Sequence, residues 1–329
     1  MKVVPIKNYF SLIKENDKVL EELNSQTSIR ALLSKFMNVS HNISFRNNVT
    51  TVFADILESF RNFDDYFLIY SNLEHPCIIN IIEAFFPKER TVCLDVYHLL
   101  LNGNIEEIEN RLSKNYNVKS IYLFSHILWN TGIILDIEKM SKRIKGYRSE
   151  NIIIIDGAQS VGNIKNIYSN NFKKEDIDFY LGCTHKWIGS SNILGFVIIG
   201  DIFIRKYRDL AEKIFLKDLF SIFAGNSEFK ESKFSMSTYD FNLLLSLTKE
   251  LNSIIRVFCF PNVNNNFKLN NDIYFINHPS KKIKTSRYFS FYGKKENLEK
   301  SLELFNEYET SLVEDKNLPF NYYWLRVGK

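Results

Sequence analysis

At its centre the chain reads Asn151-Ile152-Ile153-Ile154-Ile155-Asp156-Gly157-Ala158-Gln159. Four consecutive isoleucines are typical of a strand that is buried on both faces, because β-branched side chains suit the pleated surface of a sheet. Such strands lie at the centre of parallel sheets that are covered by helices. The strand is predicted to end at Ile155, so Asp156 stands at its carboxyl end.

Helix-like and strand-like segments alternate on both sides of this run. Apolar periodicity predicts helices at 51–62, 76–85, 104–112 and 137–144, and strands at 66–70, 91–96, 118–124, 151–155, 177–181 and 193–199. This alternation implies parallel strands that are joined by crossover helices. We therefore predict an α/β fold with a mainly parallel central sheet and helices on both faces.

The final third of the chain has a weaker pattern. Strand-like runs at 272–276 and 288–292, with an amphipathic segment at 296–307, predict a small α+β domain. We place a large domain, with a short N-terminal segment, at residues 1–245 and a small C-terminal domain at 246–329.

Composition excludes several classes of protein. The 329 residues are 45% hydrophobic and 24% charged, as in an ordinary globular protein, and the net charge of +4 is scattered along the chain. A nucleic-acid partner is therefore not expected. The four cysteines form no CxxC pair, which excludes a zinc ribbon. Without a signal-like or membrane-length apolar run, a cytoplasmic protein with reduced thiols and no membrane partner is expected.

A second apolar run ends in Gly182-Cys183-Thr184-His185-Lys186-Trp187. Ligands of open parallel sheets bind beyond the carboxyl ends of the strands, which is where both runs end. Each residue alone has an ordinary interpretation, since Asp-Gly is a common turn signal and most lysines are solvated. The joint pattern of Asp156, Gln159 and a His-Lys pair is what favours a functional site.

These segments resemble the class V aminotransferase family, whose members have the fold type I pyridoxal 5'-phosphate (PLP) fold. The similar segments are Asp156-Gly157-Ala158-Gln159-Ser160-Val161-Gly162, Asp176-Ile177-Asp178-Phe179-Tyr180, His185-Lys186 and Leu194-Gly195-Phe196. The resemblance implies PLP as the cofactor. In that arrangement Lys186 forms an imine with the cofactor aldehyde, Asp156 keeps the ring nitrogen protonated, and Gln159 reaches the phenolate oxygen.

The resemblance also implies residues for the cofactor phosphate. Asn48-Val49-Thr50-Thr51 is similar to the family's phosphate-binding turn, so Thr50 and Thr51 are predicted ligands. A helix cap is the ordinary alternative for these residues. His185 is a further predicted phosphate contact, and Thr184 or Cys183 takes the place of a family serine.

Two further segments resemble those that border the cofactor ring in the family. Asn72-Leu73-Glu74-His75-Pro76 is similar to the segment whose histidine stacks on the ring and acts as an acid or a base. Ser125-His126-Ile127-Leu128-Trp129-Asn130-Thr131-Gly132 aligns Trp129 with an asparagine that desulfurases keep near the phenolate oxygen. Without the resemblance, His75 would be assigned to the structure or the surface.

Arg287 is the residue that the resemblance assigns to the substrate. It lies in Thr285-Ser286-Arg287-Tyr288-Phe289-Ser290, which is similar to the segment that binds the substrate carboxylate in the family. A guanidinium suits that task because it binds a carboxylate through two parallel hydrogen bonds. A surface arginine is the alternative interpretation.

The absence of a suitably placed cysteine argues against one reaction of the family, cysteine desulfuration. A cysteine desulfurase needs a nucleophilic thiol shortly before the substrate-binding arginine, but residues 277–284 contain no cysteine, and Cys259 lies in an apolar run typical of a buried thiol. We expect a homodimeric PLP enzyme, with sites bordered by both subunits, that acts on the α carbon of an amino acid. Its reaction would be of the aminotransferase, C–S lyase or epimerase type. The alternatives are a divergent desulfurase-like enzyme and a non-catalytic binding or scaffold protein with this fold.

Overall fold

The computed structural model describes residues 33–34, 37, 39, 42–164, 177–188, 193–216, 274–275, 288–305 and 309–328. Within these ranges the chain forms a seven-stranded sheet and a separate four-stranded sheet. No helix of the described residues is long and apolar enough to cross a membrane. Their His, Cys, Asp and Glu side chains form no group of three or more that could hold a metal ion.

The large sheet has the predicted, mainly parallel arrangement. Its strands are β1 (Ile43–Arg46), β2 (Tyr66–Ser71), β3 (Thr91–Leu94), β4 (Lys119–Ser125), β5 (Ile152–Asp156), β6 (Phe179–Cys183) and β7 (Gly195–Ile199). Their order is β1-β7-β6-β5-β4-β2-β3, in which β7 runs antiparallel to both neighbours and the other pairs are parallel. The isoleucine run therefore forms a central strand, as predicted.

Helices cover both faces of this sheet. In chain order they are α1 (Val49–Ser59), α2 (Pro76–Phe85), α3 (Tyr97–Leu101), α4 (Ile105–Leu112), α5 (Ile137–Tyr147), α6 (Asp201–Lys206) and α7 (Arg208–Leu216). Ile153 and Ile155 pack in a core with α3, α4 and α5, whereas Ile152 and Ile154 pack in a core with α1, α2, α6 and α7. Because successive strand residues face opposite sides, the single run of isoleucines contributes to both cores.

The small sheet is antiparallel and differs in part from the prediction. Its strands are β8 (Tyr274–Phe275), β9 (Tyr288–Lys294), β10 (Glu309–Glu314) and β11 (Tyr322–Gly328), in the order β10-β11-β9-β8. The predicted helix at 296–307 is an α-helix only over α8 (Lys295–Lys300), followed by a 3₁₀ turn at Leu302–Phe305. Strands β10 and β11 were not predicted. The domain boundary at 245/246 lies outside the described residues and stays a prediction.

A buried polar cluster attaches the small sheet to the large one. Trp324 of β11 is fully buried in the core of the large sheet, and its indole N–H donates to the Tyr97 hydroxyl at 3.0 Å. Tyr97 donates in turn to Asp315 Oδ2 at 2.8 Å, which also accepts from Asn130 Nδ2 at 3.0 Å. We call these four residues the Asp315 network. It fixes the β10–β11 hairpin beside the carboxyl ends of the large sheet's strands.

Candidate active site

Asp156 is the last residue of β5 and is 7% exposed. Its Oδ1 accepts a hydrogen bond from the Ala158 backbone N–H at 2.9 Å, which fixes the orientation of the carboxylate in the turn after the strand. The strand end is anchored on both sides: His126 N donates to Asp156 O, and Gly157 N donates to Leu181 O, both at 2.9 Å. Asp156 therefore lies at a rigid position on the carboxyl edge of the sheet.

The turn after Asp156 packs directly on β6. A Cβ atom at Gly157 would lie 2.1 Å from the Tyr180 ring and 2.6 Å from Leu181 O, so no side chain fits there. Gly162 has φ +84°, and a Cβ atom there would lie 2.8 Å from the backbone of Trp187 and of Ile188. These contacts hold the turn of residues 157–163 against the segment that carries Lys186.

Gln159 is joined to that segment by a side-chain hydrogen bond. Trp187 Nε1 donates to Gln159 Oε1 at 2.8 Å, and Gln159 is only 8% exposed. Because its carbonyl oxygen is already engaged, the amide NH₂ is what Gln159 can offer to a ligand, and a phenolate oxygen accepts such a bond. Sequence reasoning missed Trp187. Its position directly after Lys186 was the available signal.

Lys186 is exposed and lies three residues beyond β6. Burial lowers the pKa of His75, and the Lys186 charge lowers it further, while the Asp156 carboxylate acts in the opposite direction. The same two causes, burial and then Lys186, lower the pKa of His185. The structure therefore brings the predicted residues Lys186, Asp156 and His75 within electrostatic reach of one another.

His75 has a fixed ring orientation. As the N-cap of α2, its Nδ1 accepts from Cys77 N at 3.2 Å, and this places the ring proton of the neutral form on Nε2. The buried Trp129 ring meets it edge-on, with centroids 5.2 Å apart and an interplanar angle of 70°. A neutral imidazole held in this way is suited to packing on an aromatic ring.

The start of α1 lies next to the end of β6. Asn48 caps the helix, and its Oδ1 accepts from the backbone N–H of Thr51 at 2.8 Å and from the Thr51 hydroxyl at 3.1 Å. A Cβ atom at Gly195 would lie 2.1 Å from the Asn48 carbonyl carbon, and Gly195 pairs with Cys183 in the sheet. The exposed Thr50 and Thr51 thus stand beside residues 183–185, at a helix end that favours anions.

The three residues predicted to meet the phosphate from β6 differ in their surroundings. His185 Nδ1 is buried and has no hydrogen-bond partner in the described part of the chain. The Thr184 hydroxyl accepts from Leu194 N at 3.2 Å, and the Cys183 thiol donates to Ala158 O at 3.5 Å. Burial raises the pKa of Cys183 to about 11. Thr184 and Cys183 as phosphate ligands stay predictions, since their observed contacts are structural.

Glu74 is a buried carboxyl group that sequence reasoning did not assign. It is 2% exposed and accepts from the hydroxyls of Ser125 at 2.6 Å and Ser71 at 3.3 Å. Burial, reinforced by the Asp156 charge, raises its pKa to about 8 although both hydroxyls oppose the shift. At neutral pH Glu74 is therefore mostly protonated. Its place before His75 was the only sequence signal.

His126 and Tyr180 form a second buried pair behind the site. His126 Nδ1 lies 2.9 Å from the Tyr180 hydroxyl, and their rings meet at 87°. Burial lowers the pKa of His126 to about 3, so it is neutral at physiological pH. The pair packs between the end of β4 and Gly157. Of the remaining predicted site residues, Arg287 lies outside the described part of the chain.

The donor set fits PLP. It combines a fixed carboxylate, an amide NH₂, a neutral imidazole and a lysine amine with a helix N-terminus near the unpartnered His185 Nδ1. Each group matches one feature of the cofactor: the pyridinium nitrogen, the phenolate oxygen, the ring face, the aldehyde and the phosphate.

Comparison with known proteins agrees with this geometry. The family model for class V aminotransferases matches residues 15–210. Cysteine desulfurase SufS of Plasmodium falciparum (isolate 3D7) is 28% identical over 194 residues, which are 56% of this chain and 35% of that protein. The chain thus spans about a third of the length of this curated relative.

Solved structures show the same fold at low identity. The cystine C–S lyase C-DES in complex with cysteine persulfide has a TM-score of 0.64 at 17% identity, covering 98% of this chain and 87% of that one. A C-DES mutant with glycine covalently linked to its PLP cofactor has a TM-score of 0.65 at 16% identity, covering 98% and 86%. Serine palmitoyltransferase of Sphingomonas wittichii has a TM-score of 0.59 at 11% identity, covering 96% and 71%. The predicted fold type I architecture is confirmed, and PLP is the cofactor that solved neighbours of this fold carry.

Proposed function

The chain belongs to the class V aminotransferase family, and from that premise we propose that it binds PLP through Lys186 and acts on the α carbon of an amino acid. The reaction is a transamination, a C–S bond cleavage or an epimerisation that uses no thiol nucleophile. The supporting observation is the Trp187–Gln159 hydrogen bond, because it joins the Lys186 segment to the turn that carries Asp156.

Bound PLP would supply an electron sink for the electrons of a breaking bond at the α carbon. Asp156 would keep the ring nitrogen protonated, Gln159 would donate to the phenolate oxygen, and His75 would pack on the ring face. The Lys186 amine would take up and return the α proton. Residues 277–284 contain no cysteine, which argues against the thiol chemistry of desulfurases.

The first test is the visible absorbance band of lysine-bound PLP. Purified protein with added PLP is expected to develop this band, and Lys186→Ala is expected to lack it. Lys142→Ala is the matched control, because Lys142 is exposed and forms an i,i+4 ion pair with Glu138 on α5. A wild-type protein that stays colourless with PLP, or a Lys186→Ala protein that keeps the band, contradicts the proposal.

The second test separates the reaction types. Amino acids that perturb the band are assayed for keto acid, for ammonia or sulfide, and for solvent deuterium at the α carbon without net product. A band that no amino acid perturbs favours the non-catalytic alternative.

We also propose a homodimer with sites bordered by both subunits, as the family resemblance implies. Sedimentation at the mass of two chains is expected, and a monomer that binds PLP tightly contradicts it.

A further inference from the structure

The face of the small sheet that meets the large sheet carries a cation. Trp324 and Arg326 lie on the same face of β11, because side chains alternate along a strand, and Trp324 packs into the core of the large sheet. On the neighbouring β9, Tyr292 joins the same core, so Ser290 shares this face as well. In the strand register Arg326 pairs with Ser290.

This face borders the active site. Through the Asp315 network the hairpin contacts Asn130, which follows Trp129 in the chain, and Trp129 meets the His75 ring. The same hairpin donates from Asn317 Nδ2 to the backbone oxygen of Asn72 at 3.3 Å, in the segment that leads to His75. The Arg326 charge contributes to the lowered pKa of His75, after burial and Lys186. Arg326 thus lies within electrostatic reach of the proposed reaction centre.

Ser290 is the second observation that points to a ligand. It is 1% exposed, and its hydroxyl has no hydrogen-bond partner among the described residues. A buried hydroxyl without a partner costs stability, so one that lies beside a guanidinium is suited to binding a ligand. A guanidinium with a hydroxyl at the same register position is a donor set for a carboxylate.

The charged groups around His75 include two cations. Lys186 and Arg326 lower the pKa of His75, and Asp156 raises it. His75 is neutral and Glu74 is mostly protonated at neutral pH. A substrate carboxylate at Arg326 forms a charge-assisted hydrogen bond that a neutral side chain cannot form.

We propose that Arg326 and Ser290 form a carboxylate-binding subsite, and that the substrates are dicarboxylic amino acids whose side-chain carboxylate it holds. This inference rests on the proposed function. It leaves the α-carboxylate to Arg287, the residue that the family resemblance assigns to it. Arg326 and Ser290 position the substrate and do not take part in proton transfer.

The test compares binding of L-glutamate, L-aspartate and L-alanine to the PLP-loaded protein by spectral titration. The dicarboxylic amino acids are expected to bind more tightly than alanine. Arg326→Gln is expected to weaken their binding by roughly 10- to 100-fold and Ser290→Ala by roughly 3- to 10-fold, the range of charged and neutral hydrogen bonds. Alanine binding is expected to change by less than about twofold, since it lacks the carboxylate that the subsite holds.

Three comparisons keep the result interpretable. Arg208→Gln is the control, because Arg208 is exposed on α7 and pairs with Glu212. Arg326→Lys keeps the charge but loses the planar fork, so an intermediate loss is expected. Unchanged thermal unfolding of Arg326→Gln excludes a loss that is due to misfolding. If Arg326→Gln weakens alanine and glutamate equally, or if wild type shows no preference for dicarboxylic amino acids, the proposal is overturned.

A non-reactive probe separates this proposal from the proposed function. Glutarate has two carboxylates and no amine, so its binding, measured by calorimetry, does not require covalent chemistry with the cofactor. The protein could bind glutarate, and lose that binding in Arg326→Gln, without ever forming the absorbance band of lysine-bound PLP. This result would support the subsite and contradict the proposed function. If the band forms but glutarate does not bind, the proposed function is supported and the subsite is overturned.

Discussion

The large and small sheets meet beside the candidate site but hold their side chains there by different means. On the large sheet, close packing of the backbone fixes the site, as at Gly157 against Tyr180 and Gly195 against Asn48. On the small sheet, a buried polar network around Asp315 fixes the hairpin, and Tyr97 and Asp315 in it are 218 residues apart. The close packing of the large sheet is therefore disrupted by added atoms, whereas the Asp315 network is disrupted by loss of its acceptor.

The largest effect is expected from Asp315→Ala. The substitution leaves the buried donors of Tyr97 and Asn130 without their acceptor, and each unsatisfied donor costs about 1–3 kcal/mol. Urea unfolding is expected to show a loss of several kcal/mol. Hydrogen exchange should rise in β9 and β11 more than in β4 and β5.

Asp64→Ala is the control for Asp315→Ala. Its side chain is 93% exposed and forms only a long ion pair with Arg90, so about 0–1 kcal/mol is expected. Equal exchange in both sheets of Asp315→Ala would mean that the two sheets unfold as one unit and do not differ in local stability.

Asp156→Asn is expected to leave the fold intact and to abolish most turnover. Asparagine keeps an Oδ1 acceptor for Ala158 N but cannot hold the cofactor nitrogen protonated. A loss in kcat on the order of 10²- to 10³-fold is expected, as for removal of one preorganised electrostatic group. Steady-state kinetics measure the loss in kcat, and thermal unfolding checks that the fold is intact. Turnover at the wild-type rate would remove Asp156 from the site.

Gly157→Ala tests close packing at the carboxyl edge. The added Cβ meets the Tyr180 ring and the Leu181 backbone oxygen, so a destabilisation of about 1–3 kcal/mol is expected in urea unfolding. Gly146→Ala is the matched control, because nothing lies within 4 Å of its Cβ position in α5. Helix propensity predicts that this control gains about 0.5–1 kcal/mol. A loss of stability in both variants would contradict the explanation by close packing.

Glu74→Gln is expected to change how stability depends on pH. The carboxyl group titrates near 4.5 when unfolded and near 8 when folded, so only the unfolded state releases the proton between these values. Stability should therefore fall as pH rises through this window, by up to about 1.4 kcal/mol per pH unit.

The clean window for this measurement is pH 6.5 to 8. Below pH 6.5 the buried His126, with its pKa lowered to about 3, makes stability rise with pH and opposes the Glu74 effect. Urea unfolding at several pH values should show a falling slope in wild type that Glu74→Gln flattens. The same slope in both proteins would show that Glu74 is ionised in the folded state.

The large sheet could be predicted from sequence because its signals are local. The run 66–70 ends one residue before β2 does, the run 151–155 is shifted by one residue from β5, and 76–85 matches α2. Strand β11 has no such signal. Trp324 and Leu325 are adjacent and both buried, because one face of the strand meets the large core and the other meets the small sheet's own core. A strand covered on both faces loses the alternation that identifies it.

The residues of the candidate site also divide into those with a local sequence signal and those without one. Functional groups collect at the strand ends of parallel sheets, and the structure brings four residues at or just after strand ends to one edge: Asp156, Gln159, Lys186 and His75. Trp187 and Glu74 adjoin these motifs, but their roles depend on a hydrogen bond and on burial that spacing does not reveal. Asp315 and Arg326 reach the site only through tertiary contacts, so no local pattern identifies them.

Strand β11 lies between β9 and β10, although it follows both of them in the chain. The small sheet therefore cannot close on the ribosome until the segment up to Gly328 has emerged from the exit tunnel. The strands of the large sheet are all translated earlier. Translation order therefore allows the carboxyl edge with Asp156 and Lys186 to assemble while the β10–β11 hairpin has not yet formed. The side of the candidate site with Lys186 can then be complete before the side that carries Arg326.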